Sequence, residues 1–321
     1  MPPASVQPAG VSGTPLQAGV GRRQPRLRSR KLTDKAAGGL FRASSLLSAV
    51  VLLGILAFLL FYGVRTFRDS RVLSFLLGTR WNPDAYGQPE FGLIPLLIGS
   101  FLTTLIALLI AIPAGIAGAI VISERLKGWL RVTVKTMVEL FAGFPSVVLG
   151  FFGLVVLAPF IGHLFHVPSG LNLLNAGVLL GLMSLPTITS VTDDALRVVP
   201  QSYREAAYAL GATPWTTAFR IVLPAARSGI LAAVMLGFGR AIGETMVVLM
   251  VAGNAAIIPH SLFDPIRTIT STIAIELGET PFNTTHFYSL FALGFVLFLI
   301  ALGTNLVAES LIRREKRSFT L

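Results

Sequence analysis

Two ionisable side chains, Arg240 and Glu244, interrupt a long apolar segment in the C-terminal half of the chain. They are four residues apart, so on a helix they would lie on one face and could form an ion pair. An arginine at the centre of a bilayer costs about 2.5–3.5 kcal/mol, so we expect this face to line a polar interior. The planar guanidinium can donate two parallel hydrogen bonds to a phosphate-like oxyanion, and Glu244 would hold it in place. The pair therefore predicts an anion site or, alternatively, an ion pair that only locks helices together.

Two hydroxyl side chains extend this predicted substrate path. Thr245 follows Glu244 directly, and Ser146 follows Pro145 in a separate apolar run, FAGFPSVVLGFFG. Proline removes a helix hydrogen bond, so we expect the helix to be interrupted there. Freed backbone groups at membrane depth are tolerated mainly beside protein or a water-lined cavity. The alternative for this proline is a simple packing kink.

The longest polar interruption of the C-terminal half is segment 201–224, QSYREAAYALGATPWTTAFRIVLP. Ser202 and Glu205 have the S-x-x-E spacing of a capping box at a helix start. Gly211 can adopt the left-handed conformation that ends a helix, and Thr213 can cap a second helix whose first residue is a proline. The segment is thus predicted to be two short helices with a glycine break, exposed at one side of a membrane as a docking element.

The same segment resembles the EAA loop of the permease subunits of ABC importers. The matching positions are Glu205, Ala206, Ala207, Gly211, Ile221, Val222, Leu223 and Pro224. The resemblance implies a coupling helix that docks into a groove on a separate ATPase subunit. The alanines would permit close approach, and Glu205 would meet a basic partner. The alternative is an ordinary amphipathic loop.

The composition is that of an integral membrane protein, with 53% hydrophobic and 13% charged residues and a mean hydropathy of +0.75. About 20 apolar residues cross a bilayer as a helix, and an open sheet cannot satisfy its backbone in lipid. The predicted spans are 43–64, 91–123, 140–162, 167–192, 228–259 and 287–308. We therefore expect an all-α membrane protein with six transmembrane helices.

The net charge of +11 is unevenly distributed along the chain. Most Lys and Arg residues precede the first span, follow the last, or lie between the second and third or the fourth and fifth spans. This positive-inside pattern predicts a multi-pass protein of the cytoplasmic membrane with both termini and segment 201–224 in the cytoplasm. Segment 1–40 is predicted to be a disordered basic tail that attracts anionic membrane lipid. Nucleic acid is not an expected partner.

Several kinds of site are not expected. The chain has no cysteine, which excludes disulfides and thiolate metal sites. The four histidines do not cluster with carboxylates, so no metal site is predicted. No lysine follows a glycine, which excludes a G-K-[ST] phosphate loop. We therefore expect no cofactor on this chain and no ATP hydrolysis by it; the chain is predicted not to be an enzyme.

Three runs together resemble the PstC family of phosphate-specific ABC permease subunits: GFGRAIGETMVVLMVAGN, FAGFPSVVLGFFG and the EAA loop. The resemblance covers roughly residues 75–315 and implies a type I importer permease fold, with Arg240 and Glu244 as functional intramembrane charges. It implies as partners a PstA-like permease, two copies of a PstB-like ATPase that holds ATP and magnesium, and an extracytoplasmic phosphate-binding protein. The expected regions are the tail 1–40, a first transmembrane helix at 41–70, the permease core 71–315 and a tail at 316–321.

Other interpretations stay open at this point. The related PstA family shares an R-A-x-G-E-T run, and a permease for molybdate or sulfate would also need an arginine for its oxyanion. An ion-coupled secondary transporter would place charges at mid-membrane too, but it would need no EAA loop.

Overall fold

A computed structural model describes residues 27–68, 72–85, 87 and 89–318. Most of the predicted disordered tail, residues 1–26, lies outside the described residues, as do the last three residues of the chain. The first helix begins at Leu27, which is inside the segment for which no structure was expected.

The described part of the chain is almost entirely helical, which confirms the predicted all-α class. The helices are α1 (Leu27–Gly63), α2 (Val72–Leu77), α3 (Ile94–Ile120), α4 (Gly128–Ala142), α5 (Ser146–Phe152), α6 (Ala158–Phe165), α7 (Leu173–Val198), α8 (Gln201–Ala209), α9 (Pro214–Thr217), α10 (Leu223–Ala225), α11 (Arg227–Ile242), α12 (Met246–Val251), α13 (Ile269–Glu276) and α14 (Thr285–Ser318). Short turns of tighter or wider helix continue some of these, over Val64–Arg68, Val121–Arg125, Gly153–Leu157 and Ala218–Val222. The only strands among the described residues, β1 (Trp81–Asn82) and β2 (Glu90–Phe91), pair antiparallel.

The chain divides into two compact units, Met1–Gly54 and Ile55–Leu321. The described part of the first unit is the beginning of α1, where the large apolar side chains from Leu46 to Leu53 are exposed. A helix that faces lipid has this character, because apolar side chains need no protein partner in a bilayer. All of the candidate functional residues lie in the second unit.

Five helical segments are long and apolar enough to cross a membrane: Gly38–Phe67, Ile94–Arg125, Ser146–Phe165, Leu173–Val198 and Thr285–Ser310. The pair Pro214–Ala225 and Arg227–Ile242 would add a sixth if its members, bent by 74° at their junction, form one span. The described residues therefore contain five candidate spans, or six if the bent pair is counted as one, against the six predicted. Two of the predicted boundaries, however, are wrong.

The predicted fifth span, 228–259, is not one helix. Helix α11 ends at Ile242, and α12 is only six residues long before the chain turns at Gly253. The break falls at Gly243, Glu244 and Thr245. Glycine weakens a helix because it loses the most backbone freedom on folding, and the Glu244 side chain accepts a hydrogen bond from the amide of Val247 at the start of α12.

The predicted third span, 140–162, is also broken. Helix α4 ends at Ala142 and α5 begins at Ser146, so the membrane-length segment starts at Ser146. Pro145 precedes α5 and restricts Phe144 to non-helical conformations, which separates the two helices. The interruption predicted at this proline is confirmed.

The second unit is organised around the pair α3 and α7, which make the most extensive helix contact of the described part. Small residues allow the two backbones to approach closely. A Cβ added at Gly177 would lie 2.5 Å from a side-chain carbon of Ile106, and one added at Gly115 would lie 2.9 Å from a side-chain carbon of Ile188. Close packing of small residues is the usual way in which membrane helices associate.

A partly buried carboxylate holds together the end of the second unit opposite to segment 201–224. Glu276, at the end of α13, accepts hydrogen bonds from Arg267 at 2.6 Å, from the indole of Trp81 at 3.1 Å, and bonds the ring of His286 at 2.8 Å. Helix α13 lies within the long loop that precedes α14. It begins with a capping box of Thr268 and Ser271. The cluster joins the hairpin, α13 and the start of α14.

Two glycines of α3 provide a matched test of this packing. A Cβ at Gly99 would lie 2.4 Å from the backbone oxygen of Arg267, whereas one at Gly118 would meet only Thr189 side-chain atoms at 3.5 Å or more. We expect Gly99→Ala to lower the free energy of unfolding by about 1–3 kcal/mol through overpacking. Gly118→Ala should leave it unchanged or raise it by up to about 1 kcal/mol. Thermal denaturation of both variants in the same detergent measures the difference, and equal midpoints would contradict the close approach at Gly99.

Candidate functional site

Two helix breaks meet inside the second unit. One separates α4 from α5 at residues 143–145, and the other separates α11 from α12 at residues 243–245. Helix α12 packs directly on α5, where a Cβ added at Gly150 would lie 3.3 Å from the Cα of Val247. The end of α11 reaches the first break, because Arg240 donates a hydrogen bond to the carbonyl of Ala142 at 3.1 Å.

Arg240 is partly buried and is held only by neutral groups. Besides the carbonyl of Ala142 it donates to the hydroxyl of Thr187 on α7 at 3.4 Å. The carbonyl belongs to the C-terminal end of α4, which carries partial negative charge. No carboxylate of the described residues lies within ion-pair distance of Arg240. Its positive charge is therefore positioned by the protein without being neutralised by it.

The predicted pairing of Arg240 with Glu244 is wrong. The prediction needed a continuous helix, on which residues four apart share a face. Helix α11 stops at Ile242, so Glu244 lies in the break and its carboxylate caps α12 through the amide of Val247 at 3.4 Å. The alternative of an ion pair that locks helices together is excluded for these two residues by the same geometry.

The other predicted path residues lie at the same two breaks. The backbone oxygen of Glu244 accepts a hydrogen bond from Thr270 of α13 at 2.9 Å. Thr245 and Thr270 line an open cavity of about 450 Å³ beside α14. Ser146 is the first residue of α5, just past the other break. The structure thus brings Arg240, Glu244 and Thr245 to one break and places Ser146 at the other.

A charged network on α4 and α7 was not found from the sequence. Asp193 is completely buried and forms ion pairs with Arg131 at 2.8 Å and Lys135 at 3.0 Å. Lys135 also pairs with Asp194 at 2.5 Å and with Glu139 at 3.9 Å. The sequence contains one signal for this network. Two aspartates lie at the end of one predicted span, and basic residues with which they could pair lie near the start of another. The network fixes α4 against α7 on the side of segment 201–224.

Segment 201–224 has the predicted arrangement of helix, glycine and helix. Gly211 has a φ of +80°, the left-handed conformation that favours glycine. Thr213 caps α9 by accepting a hydrogen bond from the amide of Thr216, with Pro214 at the first position. The predicted capping box of Ser202 and Glu205 is wrong, because α8 already begins at Gln201 after Pro200 and has no side-chain cap.

The residues predicted to couple to the ATPase divide into an exposed set and an anchoring set. Glu205, Ala206, Gly211, Ile221 and Pro224 are exposed, whereas Ala207 is buried and Leu223 is half-buried. Glu205 has no ion-pair partner among the described residues. Large apolar side chains project from the same segment: Tyr203, Leu210, Trp215 and Phe219 are all at least 46% exposed, and Leu210 reaches 90%. Contiguous exposed apolar groups mark interaction surfaces.

Arg204 anchors this segment to the rest of the protein. It is 9% exposed and forms an ion pair with Glu124 at 2.8 Å. It also donates to the carbonyls of Val199 at 2.8 Å and Leu196 at 2.9 Å. The pair joins α8 to the end of α3 and was not predicted, because the two residues are 80 positions apart.

Among the described residues, no group of three or more His, Asp or Glu side chains is placed to hold a metal ion. The polar groups of the two breaks are an arginine, a carboxylate, hydroxyls and backbone carbonyls. This set can bind and orient an anion by hydrogen bonding, and it contains no nucleophile paired with a base.

Known proteins resemble this chain over most of its length. The family model described as "Binding-protein-dependent transport system inner membrane component" matches residues 111–317. The probable ABC transporter permease protein YqgH of Bacillus subtilis is 37% identical over 290 residues, which are 90% of this chain and 94% of the relative. The phosphate transport system permease protein PstC of Mesorhizobium japonicum is 39% identical over 311 residues, 91% and 94% of the two chains.

Solved structures share the fold. A bacterial alginate ABC transporter, in complex with an alginate pentasaccharide-bound periplasmic protein, matches with a TM-score of 0.58 at 17% identity, over 90% of this chain and 98% of the other. The MetNI methionine ABC transporter, in an inward-facing conformation, matches with a TM-score of 0.52 at 20% identity, over 70% and 94%.

We expect the Arg204–Glu124 ion pair to stabilise the packing of segment 201–217 against the rest of the protein. Glu124→Ala leaves a buried guanidinium without its carboxylate, which should lower the free energy of unfolding by about 3–5 kcal/mol. The double variant Glu124→Ala with Arg204→Met should recover much of this loss, because no unpaired charge remains buried. Glu139→Ala is the control, because it removes an exposed pairing worth at most about 1 kcal/mol. Denaturation in detergent and hydrogen exchange of residues 201–217 are the measurements; equal effects of Glu124→Ala and Glu139→Ala would contradict the anchoring role.

Proposed function

The chain belongs to the family of inner membrane components of binding-protein-dependent transport systems, and on this premise we propose that it is the permease subunit of an ATP-driven importer of inorganic phosphate. As a member of that family it is a membrane permease subunit of an ABC transporter and not an enzyme. We further propose its substrate, the residues of the substrate path, its partners and its orientation in the membrane.

One observation carries the choice of an oxyanion substrate. Arg240 lies at the meeting point of two helix breaks, fixed by a carbonyl and a hydroxyl and without a carboxylate partner in the described part of the protein. A guanidinium held in this way keeps donors for an incoming anion, and its planar fork matches the oxygens of phosphate. The similarity to PstC proteins over nine-tenths of the chain supports phosphate.

Glu244 favours phosphate over sulfate or molybdate. Its carboxylate lies in the break that follows α11, the helix of Arg240, and only one of its two oxygens accepts a hydrogen bond within the described residues. A second anion at this place is repelled unless it brings a proton to share. Phosphate carries a proton near neutral pH, whereas sulfate and molybdate do not. Thr245 and Ser146 supply hydroxyls on either side of the path.

Segment 201–224 is the proposed contact with the ATPase. The left-handed Gly211, the unpaired and exposed Glu205 and the exposed apolar side chains around Leu210 form a surface that a partner can cover. The ATPase, in two PstB-like copies, would hold ATP and magnesium. A PstA-like permease would form the other half of the path. An extracytoplasmic phosphate-binding protein would deliver the substrate, consistent with the periplasmic protein in the alginate transporter complex.

The proposed location is the cytoplasmic membrane, with several spans and with both termini and segment 201–224 on the cytoplasmic side. The distribution of Lys and Arg carries this orientation. Fusion of the C-terminus to a reporter protein that is active only in the cytoplasm would test this orientation.

The first functional prediction concerns Arg240. Arg240→Lys keeps the charge but loses the planar fork, so ATP-dependent phosphate uptake by the assembled transporter in proteoliposomes should fall at least about tenfold, the equivalent of about 1.4 kcal/mol. Arg80→Lys, the same substitution at an exposed site outside the path, should leave uptake unchanged.

Three outcomes would contradict parts of this proposal. Normal uptake by Arg240→Lys, at equal membrane insertion, would show that the guanidinium does not bind the anion. Competition of uptake by sulfate or molybdate as strong as that by phosphate would identify another oxyanion permease. Uptake that persists without the ATPase subunit would identify an ion-coupled transporter.

The second functional prediction concerns Gly211. A Cβ at this position meets no atom within 4 Å, so any effect of substitution arises from the left-handed backbone. Gly211→Val should reduce both phosphate uptake and the stimulation of ATP hydrolysis several-fold, because a β-branched residue disfavours this conformation. Gly211→Asn, which tolerates it, should keep most of both activities. Equal coupling in the two variants would show that the turn at Gly211 is not part of the ATPase contact.

A further inference from the structure

A polar cavity of about 580 Å³ lies where segment 201–224 meets the ends of α3 and α7 and the start of α4. It is separate from the two helix breaks, because none of their residues lines it. Its charged lining consists of Arg125, Lys127, Arg131, Arg197, Arg204 and Glu124. Cations therefore outnumber carboxylates five to one in its wall.

The protein neutralises only some of these cations. Arg204 is paired with Glu124, and Arg131 with the buried Asp193. Arg125, Lys127 and Arg197 have no carboxylate within ion-pair distance among the described residues. Three positive charges that share one cavity repel one another, and an anion bound between them relieves this repulsion.

Two arginines of the cavity wall, Arg204 and Arg125, are restrained before any ligand arrives, whereas Lys127 and Arg197 are exposed. Arg204 is fixed by four hydrogen bonds, to both carboxylate oxygens of Glu124 and to the carbonyls of Val199 and Leu196. The guanidinium of Arg125 lies 4.9 Å from the ring centroid of Trp215, a cation–π contact that restrains it. Fixed donors lose less conformational entropy on binding than mobile ones.

We propose that this cavity is a binding site for a phosphate group, held by Arg125, Lys127 and Arg197. Arginine and lysine are the side chains that bind phosphate groups by charge-assisted hydrogen bonds. The volume is in the range of small-molecule sites and leaves room beyond one inorganic ion. The group is therefore either free phosphate or the phosphate of an anionic phospholipid head group.

The proposed phosphate site lies beside segment 201–224, the proposed contact with the ATPase. Arg125 and Lys127 follow α3, and Arg197 belongs to the last turn of α7, whereas Tyr208 and Pro214 line the cavity from α8 and α9. A phosphate group at this place bonds to the ends of the spans and touches the coupling segment as well. Trp129, 73% exposed at the start of α4, is suited to the membrane–water interface, where a head group would be available.

The test uses the full chain in nanodiscs, in an Arg240→Gln background that removes the anion ligand of the proposed path. The variant carries Arg125→Gln, Lys127→Gln and Arg197→Gln together. Arg220→Gln, an exposed cation of segment 201–224 that does not line the cavity, is the control. In one arm the discs contain only phosphatidylcholine and binding of radiolabelled inorganic phosphate is measured. In the other arm the discs contain phosphatidylcholine and phosphatidylglycerol, and retained lipids are identified by native mass spectrometry.

Saturable phosphate binding that is at least about tenfold weaker in the triple variant than in the control would identify free phosphate as the ligand. A tenfold loss of affinity corresponds to the loss of one or more charge-assisted hydrogen bonds. Retention of phosphatidylglycerol in the control but not in the triple variant would identify the head group. Equal behaviour of the two variants in both arms overturns the proposal. It is also overturned if the triple variant keeps both kinds of binding but no longer co-purifies with the ATPase subunit when the two are expressed together, because the cations would then contact a protein. If the triple variant does not insert, Arg197→Gln alone is compared with Arg220→Gln on the same two measurements.

Discussion

The requirement that every backbone polar group be bonded inside an apolar bundle determines the architecture around Arg240. Two helices stop within the bundle, and each stop leaves groups that only a distant residue can reach. The carbonyl of Ala142 is bonded by Arg240, and the carbonyl of Glu244 by Thr270. These bonds tie α4, α11 and α13 together at one point. The arginine is held by the carbonyl of Ala142 and the hydroxyl of Thr187, and no carboxylate of the described residues neutralises its charge.

The same use of backbone carbonyls recurs where segment 201–224 joins the spans. Arg204 bonds two carbonyls at the end of α7 and the carboxylate of Glu124 beyond α3. The neighbouring Glu205 is exposed and has no ion-pair partner among the described residues. In the proposed contact with the ATPase, Arg204 would provide the rigid base and Glu205 part of the exposed outer surface.

Most features encoded by neighbouring residues could be predicted from the sequence, the capping box of Ser202 and Glu205 being an exception, whereas features encoded by distant residues could not. The apolar spans, the break at Pro145, the left-handed Gly211 and the cap by Thr213 are all local and were found. The pair of Arg204 and Glu124 joins residues 80 positions apart, so no spacing signals it. The expected pairing of Arg240 with Glu244 failed for a different reason. The four-residue rule assumes an unbroken helix, and Gly243 ends the helix between them.

The bend of 74° between the pair α9–α10 and helix α11 has a mechanical consequence. In the proposed coupling, a movement of residues 214–225 along their own helix axis would reach α11 at this large angle, so it would displace α11 sideways more than lengthwise. Arg240 lies near the far end of α11, where such a swing has its largest amplitude. A small movement of residues 214–225 would in this way become a lateral displacement of the Arg240 guanidinium near the other end of α11.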